Sequence, residues 1–233
     1  MAILALLAAL LLPTLNAAKG RARAAGCVGN LRQLVLGWKM YADDNNGLLA
    51  VNVPLPEDTP AWVAANFSFP SQKTNSAVLR QGLIFPYVRN PAVYHCPADT
   101  TQINGTPIVL SVSMNGWMGS RTMNRPQPYG NAAGDRTFVR ESEFSVIGAA
   151  SRLWVISDED PSTLNDGWFL VTMDDSKPFA SFPGIRHQHG AGQVFADGHA
   201  QIFKLRDPAS VPGAQIRASN TDWLLLKQMT TQP

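Results

Sequence analysis

The chain opens Ala2-Ile3-Leu4-Ala5-Leu6-Leu7-Ala8-Ala9-Leu10-Leu11-Leu12-Pro13 after Met1, turns basic through Lys19, Arg21, Arg23 and Arg32, and arrives at Asp43-Asp44-Asn45-Asn46-Gly47. Alanine and leucine are the strongest helix formers, and nothing before Gly47 reads as a strand, so propensity and pattern both predict one long helix. At 1.5 Å per residue such a helix reaches about 65 Å, longer than a small domain needs. Pro13 removes a backbone hydrogen bond and crowds the preceding turn, which predicts a kink there. Gly20, Gly26, Gly29 and Gly37 each lower intrinsic helix stability by about 1 kcal/mol, so packing has to support the element.

The two halves of this helix call for different surroundings. Residues 2–12 are apolar on every side, which suits lipid or a bundle of like helices. Val28, Leu31, Leu34, Val35, Trp38 and Tyr41 recur every three or four residues and form a stripe fit to lie on a globular domain. Gly47 can take the left-handed conformation that closes a helix. The division expected is therefore 1–46, with an apolar anchor at 1–15 and an amphipathic part at 16–46, followed by a domain over 47–233.

The 233-residue chain is long enough for one sizeable domain behind the helix. Charged residues make up only 15%, while there are 17 prolines and 18 glycines, which favours loop-rich β structure over a bundle. A net charge of +2 is too small to imply nucleic-acid binding. The basic cluster from Lys19 to Arg32 fits either a headgroup-facing belt or a solvated helix face. Cys27 and Cys96 are the only cysteines; they read equally as two independent buried thiols or as a disulfide tying helix to domain.

Along the domain, residues 48–77 read as an irregular linker punctuated by Pro54, Pro56, Pro60 and Pro70, with Trp62 and Phe67 pinning it to the core. Val78–Val88 predicts a short helix burying Leu79, Leu83, Phe85 and Tyr87. Val93–Cys96 predicts a short strand, with His95 a packed side chain rather than a ligand. Ile108–Met114 reads as a strand turned by Asn115-Gly116, residues 119–137 as a surface loop, and Ser142–Phe144 as a turn. Leu153–Ser157 is the clearest buried strand, and Trp168–Met173 another. Arg186–Gly190, Gln193–Ala196 and Ala200–Leu205 predict a three-stranded meander over 186–205, with Asp197-Gly198 as a two-residue type I′ turn. Thr221–Met229 ends the chain as a short helix or strand.

Several of these stretches together resemble a known family. The apolar run ending at Pro13, then Cys27-Val28-Gly29-Asn30-Leu31-Arg32-Gln33-Leu34 and Tyr41-Ala42-Asp43-Asp44-Asn45, resemble type IV pilin-like and type II secretion pseudopilin-like proteins. The likeness is closest to the branch with a prepilin-type N-terminal cleavage and methylation segment and a C-terminal H-x9-DG signature. His187, the nine residues Gln188–Ala196 and Asp197-Gly198 have that spacing. Cys96-Pro97-Ala98-Asp99, Ser113-Met114-Asn115-Gly116 and Arg186-His187 are similar to that branch too, so the resemblance spans both ends and the middle. It departs in one place: no Gly-Phe-Thr-Leu-Ile-Glu-type cleavage site precedes the apolar run, and the expectation is that in-frame codons upstream of Met1 encode a basic leader and such a site.

The resemblance implies an α+β fold, a long N-terminal helix packed on an antiparallel sheet. It implies a non-enzymatic subunit or accessory of a membrane-anchored pseudopilus or type IV pilus-like secretion assembly. Its partners would be like subunits, other pilin-like proteins and inner-membrane lipid, with the domain in the periplasm or outside the cell. His187, Asp197 and Gly198 would be structural, His187 hydrogen-bonding backbone or a loop carboxylate at the sheet edge. No cofactor is required. Calcium is nonetheless a candidate, because Asp158, Glu159, Asp160, Asn165 and Asp166 concentrate oxygen donors and some major pseudopilins bind that ion in a late loop; a solvated acidic loop is the competing reading. Two other functions compete with the assembly reading. One is a zinc-dependent hydrolase built on His187, His189 and His199, with Asp197 already explained by its turn. The other is a carbohydrate-binding module using exposed Trp62, Trp117 and Trp168.

Overall fold

The computed structural model describes residues 2–56, 59–120, 135–146, 148–173, 180–213 and 219–231. Helix α1 (Ala2–Asp44) is one unbroken element of 43 residues that continues through Pro13. Its closing turn uses two left-handed residues: Asn46 at φ 55° and Gly47 at φ 76°. The Gly47 N–H donates to the Ala42 carbonyl at 2.8 Å and the Asn45 side chain to Tyr41 O at 2.7 Å. These satisfy carbonyls that a helix end leaves bare.

The stripe on α1 is buried as the spacing predicts. Leu31, Leu34, Val35 and Trp38 are buried, flanked by Cys27 and Ala42, while Val28 and Tyr41 lie at its margin. They pack against β4 (Trp154–Asp158) and β6 (Gly190–Phe195) and share one buried cluster with β3 (Val112–Asn115). With β5 (Trp168–Phe169) and β7 (Ala200–Lys204) these strands form a five-stranded sheet in the order β5-β3-β4-β6-β7. Three of its pairings are antiparallel, and β3–β5 is parallel. The chain reverses after β4 and passes over to the far side of β3, so a strand antiparallel to β4 arrives parallel to β3. The architecture is α+β, with α1 on one face of an antiparallel-rich sheet. The other face is covered by α5 (Thr221–Gln228), whose Trp223 and Leu226 pack with Trp154, Phe169, Val171 and Phe195. Among the described residues no helix is long and apolar enough to cross a membrane.

The linker is irregular apart from α2 (Pro70–Lys73), where Pro70 occupies the first turn and so removes no needed donor. Trp62 and Phe67 are both buried. Elsewhere the local readings need correction. Val78–Val88 is not one helix but a 3-10 turn (Leu79–Gln81) and α3 (Phe85–Val88), with Leu79 and Ile84 as the buried residues. Gly82 is extended between them, and the Leu83 N–H leaves the helix ladder for Ala61 O at 2.9 Å. Val93–Cys96 is not a strand; Pro91–Tyr94 forms a 3-10 turn because Asn90 accepts from the Ala92 N–H. Ser142–Phe144 extends into α4 (Ser142–Val146), preceded by a loop whose Val139 and Arg140 N–H groups are taken by Glu143. Trp168–Met173 pairs over Trp168–Phe169 alone. The loop expected at 119–137 falls mostly outside the described residues.

The meander has two strands rather than three. Residues 186–189 form a turn, with Gln188 and His189 at φ 53° and 58°, and only β6 and β7 pair. Their connection is a three-residue loop, Ala196-Asp197-Gly198, since Val194 pairs with Ala200 and the Phe195 N–H reaches His199 O. Gly198 alone has positive φ, at 99°, which is a type I turn followed by a left-handed glycine rather than type I′. A true two-residue loop occurs at Asn104-Gly105, joining β1 (Gln102–Ile103) to β2 (Thr106–Pro107) with both residues at positive φ.

Candidate functional site

Four segments far apart in the chain deliver reactive side chains to one buried point. α1 supplies Cys27 from the edge of its apolar stripe. The turn after Pro91–Tyr94 supplies Cys96, the end of β4 supplies Asp158, and the turn before β6 supplies His187. One donor atom from each lies within 4.8 Å of the others, and all four residues are buried. Cys27 Sγ is 3.4 Å from both Asp158 oxygens. Cys96 Sγ is 3.3 Å from His187 Nε2, which is itself 3.2 Å from Asp158 Oδ2.

Local geometry explains how the point is assembled. Gly192 on β6 brings its N–H to Asp158 Oδ2 at 2.9 Å. A side chain at Gly192 would meet Leu31 Cδ1 at 2.8 Å and Cys27 Sγ at 3.0 Å, so glycine is what lets the helix and sheet close here. The His187 turn is anchored beside the site: Arg186 pairs with Asp99 at 2.8 Å and donates to Glu159 O at 2.8 Å. Asp99 also accepts from Ser111 Oγ at 2.7 Å, and Lys204 Nζ holds His187 O at 2.6 Å. Arg186 and the two hydroxyl-bearing neighbours of Asp99 outweigh the effect of its burial and hold its carboxyl below the usual carboxylate range.

The electrostatics are those of a shared-proton cluster. The hydrogen bond from Cys27, helped by His187 and opposed by burial, lowers the Cys96 thiol to about 6. That same Cys96 contact, burial and the Asp158 charge push the Cys27 thiol up. Burial disfavours the His187 imidazolium, but Asp158 and Cys96 outweigh it and raise the ring to about 9. A thiolate, an imidazolium and a carboxylate in contact have the composition of an activated nucleophile. Here, however, both cysteines are buried, and a cavity of about 90 Å³ beside Gly20, Arg21, Ala24 and Lys204 touches His187 but neither cysteine. The donor set also has the make-up of a metal-ligand sphere.

The other expected site residues are placed elsewhere. His189 is exposed on its turn, and exposed His199 stacks on Phe195 and contacts Asp197 Oδ1 at 2.6 Å, so neither joins His187. The acidic loop does not meet at one point among the described residues, and only Glu159 and Asp166 lie near each other. Asp158 faces the cysteines, and Glu159 is buried against Thr163. Asp160 accepts from Ser162, Asp166 accepts from the Leu55 and Trp168 N–H groups, and Asn165 is exposed. All six tryptophans are buried, so Trp62, Trp117 and Trp168 present no gripping surface; Trp62 and Trp117 spend their indole N–H on Gly167 O and Val171 O. Cys27 and Cys96 are both buried and unbridged, and their sulfurs lie in the same cluster. His95 is half-buried, and burial lowers its pKa.

The chain matches no protein-family model, no curated protein and no solved structure.

Proposed function

We propose that this chain is a structural subunit of a membrane-anchored, pilus-like assembly, its helices gathered inward and its domains outward. The observation that carries the reading is the division of labour along α1. From Cys27 onward the helix is part of the domain core, whereas every residue from Leu12 to Arg23 is exposed. A helix of 43 residues whose stretch from Leu12 to Arg23 lies outside its own domain leaves that stretch for something else. The apolar run of residues 2–12 is too short to cross a bilayer alone, which needs about 20 residues, and suits packing among like helices at a membrane. The basic residues Lys19, Arg21 and Arg23 follow it, where a headgroup belt would lie.

The motifs quoted for the pilin-like resemblance support the same reading by meeting in space. Cys27, Cys96 and His187 come together, Asp99 pairs with Arg186, and Asn115 donates to Trp154 O and Thr230 O, stitching the sheet to the C-terminal segment. These contacts are interior and structural. The test is membrane partition of two forms. The full chain should require detergent, and a form beginning at Lys19 should be soluble and folded, because the core begins at Cys27. A full chain that stays a soluble monomer without detergent would overturn the proposal.

A further inference from the structure

We propose that Cys27, Cys96, Asp158 and His187 bind one zinc ion in a closed, four-coordinate structural site that clamps α1 to the sheet. The inference is independent of the assembly reading and rests on four features of the cluster.

The first is shape. A tetrahedral zinc with Zn–S of about 2.3 Å and Zn–N and Zn–O of about 2.0 Å has ligand–ligand edges of about 3.5 Å from sulfur to nitrogen or oxygen and about 3.3 Å from nitrogen to oxygen. The corresponding separations here are 3.4 Å for Cys27–Asp158, 3.3 Å for Cys96–His187 and 3.2 Å for His187–Asp158. These three edges match the tetrahedral values to within tenths of an ångström, and the remaining donor pairs lie within 4.8 Å of one another. The second is composition: two sulfurs, one imidazole and one carboxylate select a borderline-soft tetrahedral cation over calcium or magnesium, which take six or more oxygens or an octahedron of them. The third is closure. Four buried protein donors complete the tetrahedron and leave no position for water or substrate, which marks a structural rather than a hydrolytic zinc. The fourth is support. The Gly192 N–H on Asp158 and the Ala98 N–H on Cys96 Sγ at 3.4 Å orient two of the ligands from behind.

The ligands come from segments separated by 131 residues between Cys27 and Asp158 and 91 between Cys96 and His187, so one ion would cross-link the whole fold. Zinc takes thiolates, a neutral imidazole and a carboxylate, so binding releases to solvent whatever protons these donors carry, and no redox change occurs. Of the four ligands, His187 lines a small cavity together with Arg21 and Arg186.

The experiment uses the full chain, purified in detergent with reductant and supplied with zinc chloride, then desalted. Elemental analysis should find one zinc per chain, and the melting temperature should rise with added zinc and fall with a chelator. Cobalt(II) in place of zinc should give the intense bands of a tetrahedral thiolate complex, a readout that does not depend on stability. Cys96→Ser and His187→Ala should lose the ion and the cobalt bands, while His189→Ala and His199→Ala should keep both. Absence of bound zinc and of cobalt–thiolate bands in a folded parent overturns the inference. So does recovery of the parent as a metal-free Cys27–Cys96 disulfide two hydrogens lighter in mass, and so does zinc retained by His187→Ala but lost from His189→Ala.

Discussion

Glu159 follows Asp158 at the end of β4 and is fully enclosed, held by the Thr163 hydroxyl and placed near Ser113, Ser181 and Asp166. Burial dominates, and the neighbouring hydroxyls offset it only in part, so its carboxyl is raised from 4.5 to about 8. Asp166 is raised the same way, from 3.8 to about 6, burial again outweighing the two backbone N–H groups it accepts. An acid whose folded pKa lies above its unfolded value binds a proton more tightly in the native state. Its contribution to stability is therefore intact below pH 4.5 and declines as pH rises toward 8, by about 1.4 kcal/mol for each unit of that window. Glu159→Gln should melt higher than the parent at pH 8, should match it near pH 4.5, and should flatten the profile between them. Thermal melts across that range check this; an unchanged slope would mean Glu159 is not protonated at neutral pH. The sequence showed an acidic loop at 158–166 but not this inversion, because which carboxylates face inward depends on how the loop crosses β3.

At the level of elements, the hairpin at 196–198 gives the next expectation. Gly198 has φ 99° and open space where a side chain would go, so alanine there meets backbone strain but no clash. Gly198→Ala should cost about 1 kcal/mol or somewhat more, read from chemical denaturation, without disturbing the buried cluster. An equal or higher stability would show that the loop relaxes to another turn. The hairpin was legible in Asp197-Gly198, but not its length, because loop size follows from the register of β6 on β7. The long helix, its buried stripe and β4 were legible from periodicity and capping, whereas 221–229 was left open between helix and strand and is the helix α5. Val93–Cys96 was not: its apolar run resembles a strand, and the Asn90 cap with Pro91 instead winds it into a 3-10 turn. Arg186–His189 likewise alternates on paper, yet two left-handed residues make it a turn. That turn is what sends His187 inward and His189 outward.

On the scale of the whole molecule, the buried cluster was the least legible feature. Cys27 and Cys96 raised the question of a disulfide, Asp158 that of calcium and His187 that of a histidine-rich zinc site. Only the tertiary fold brings both cysteines together with one of the acids and one of the histidines. The division of α1, by contrast, was visible in its sequence and has a direct consequence for assembly. If helices gather inward, the exposed face near Leu15 lies against other copies, while Asn165, beside β5 at the sheet edge farthest from α1, faces away. The most direct measurement is photo-crosslinking of full-length chains in membranes, with a photoreactive residue at position 15 or at position 165. The account predicts ladders of covalently joined copies from position 15 and only monomer from position 165. Monomer alone from position 15, in membranes that retain the protein, would contradict it.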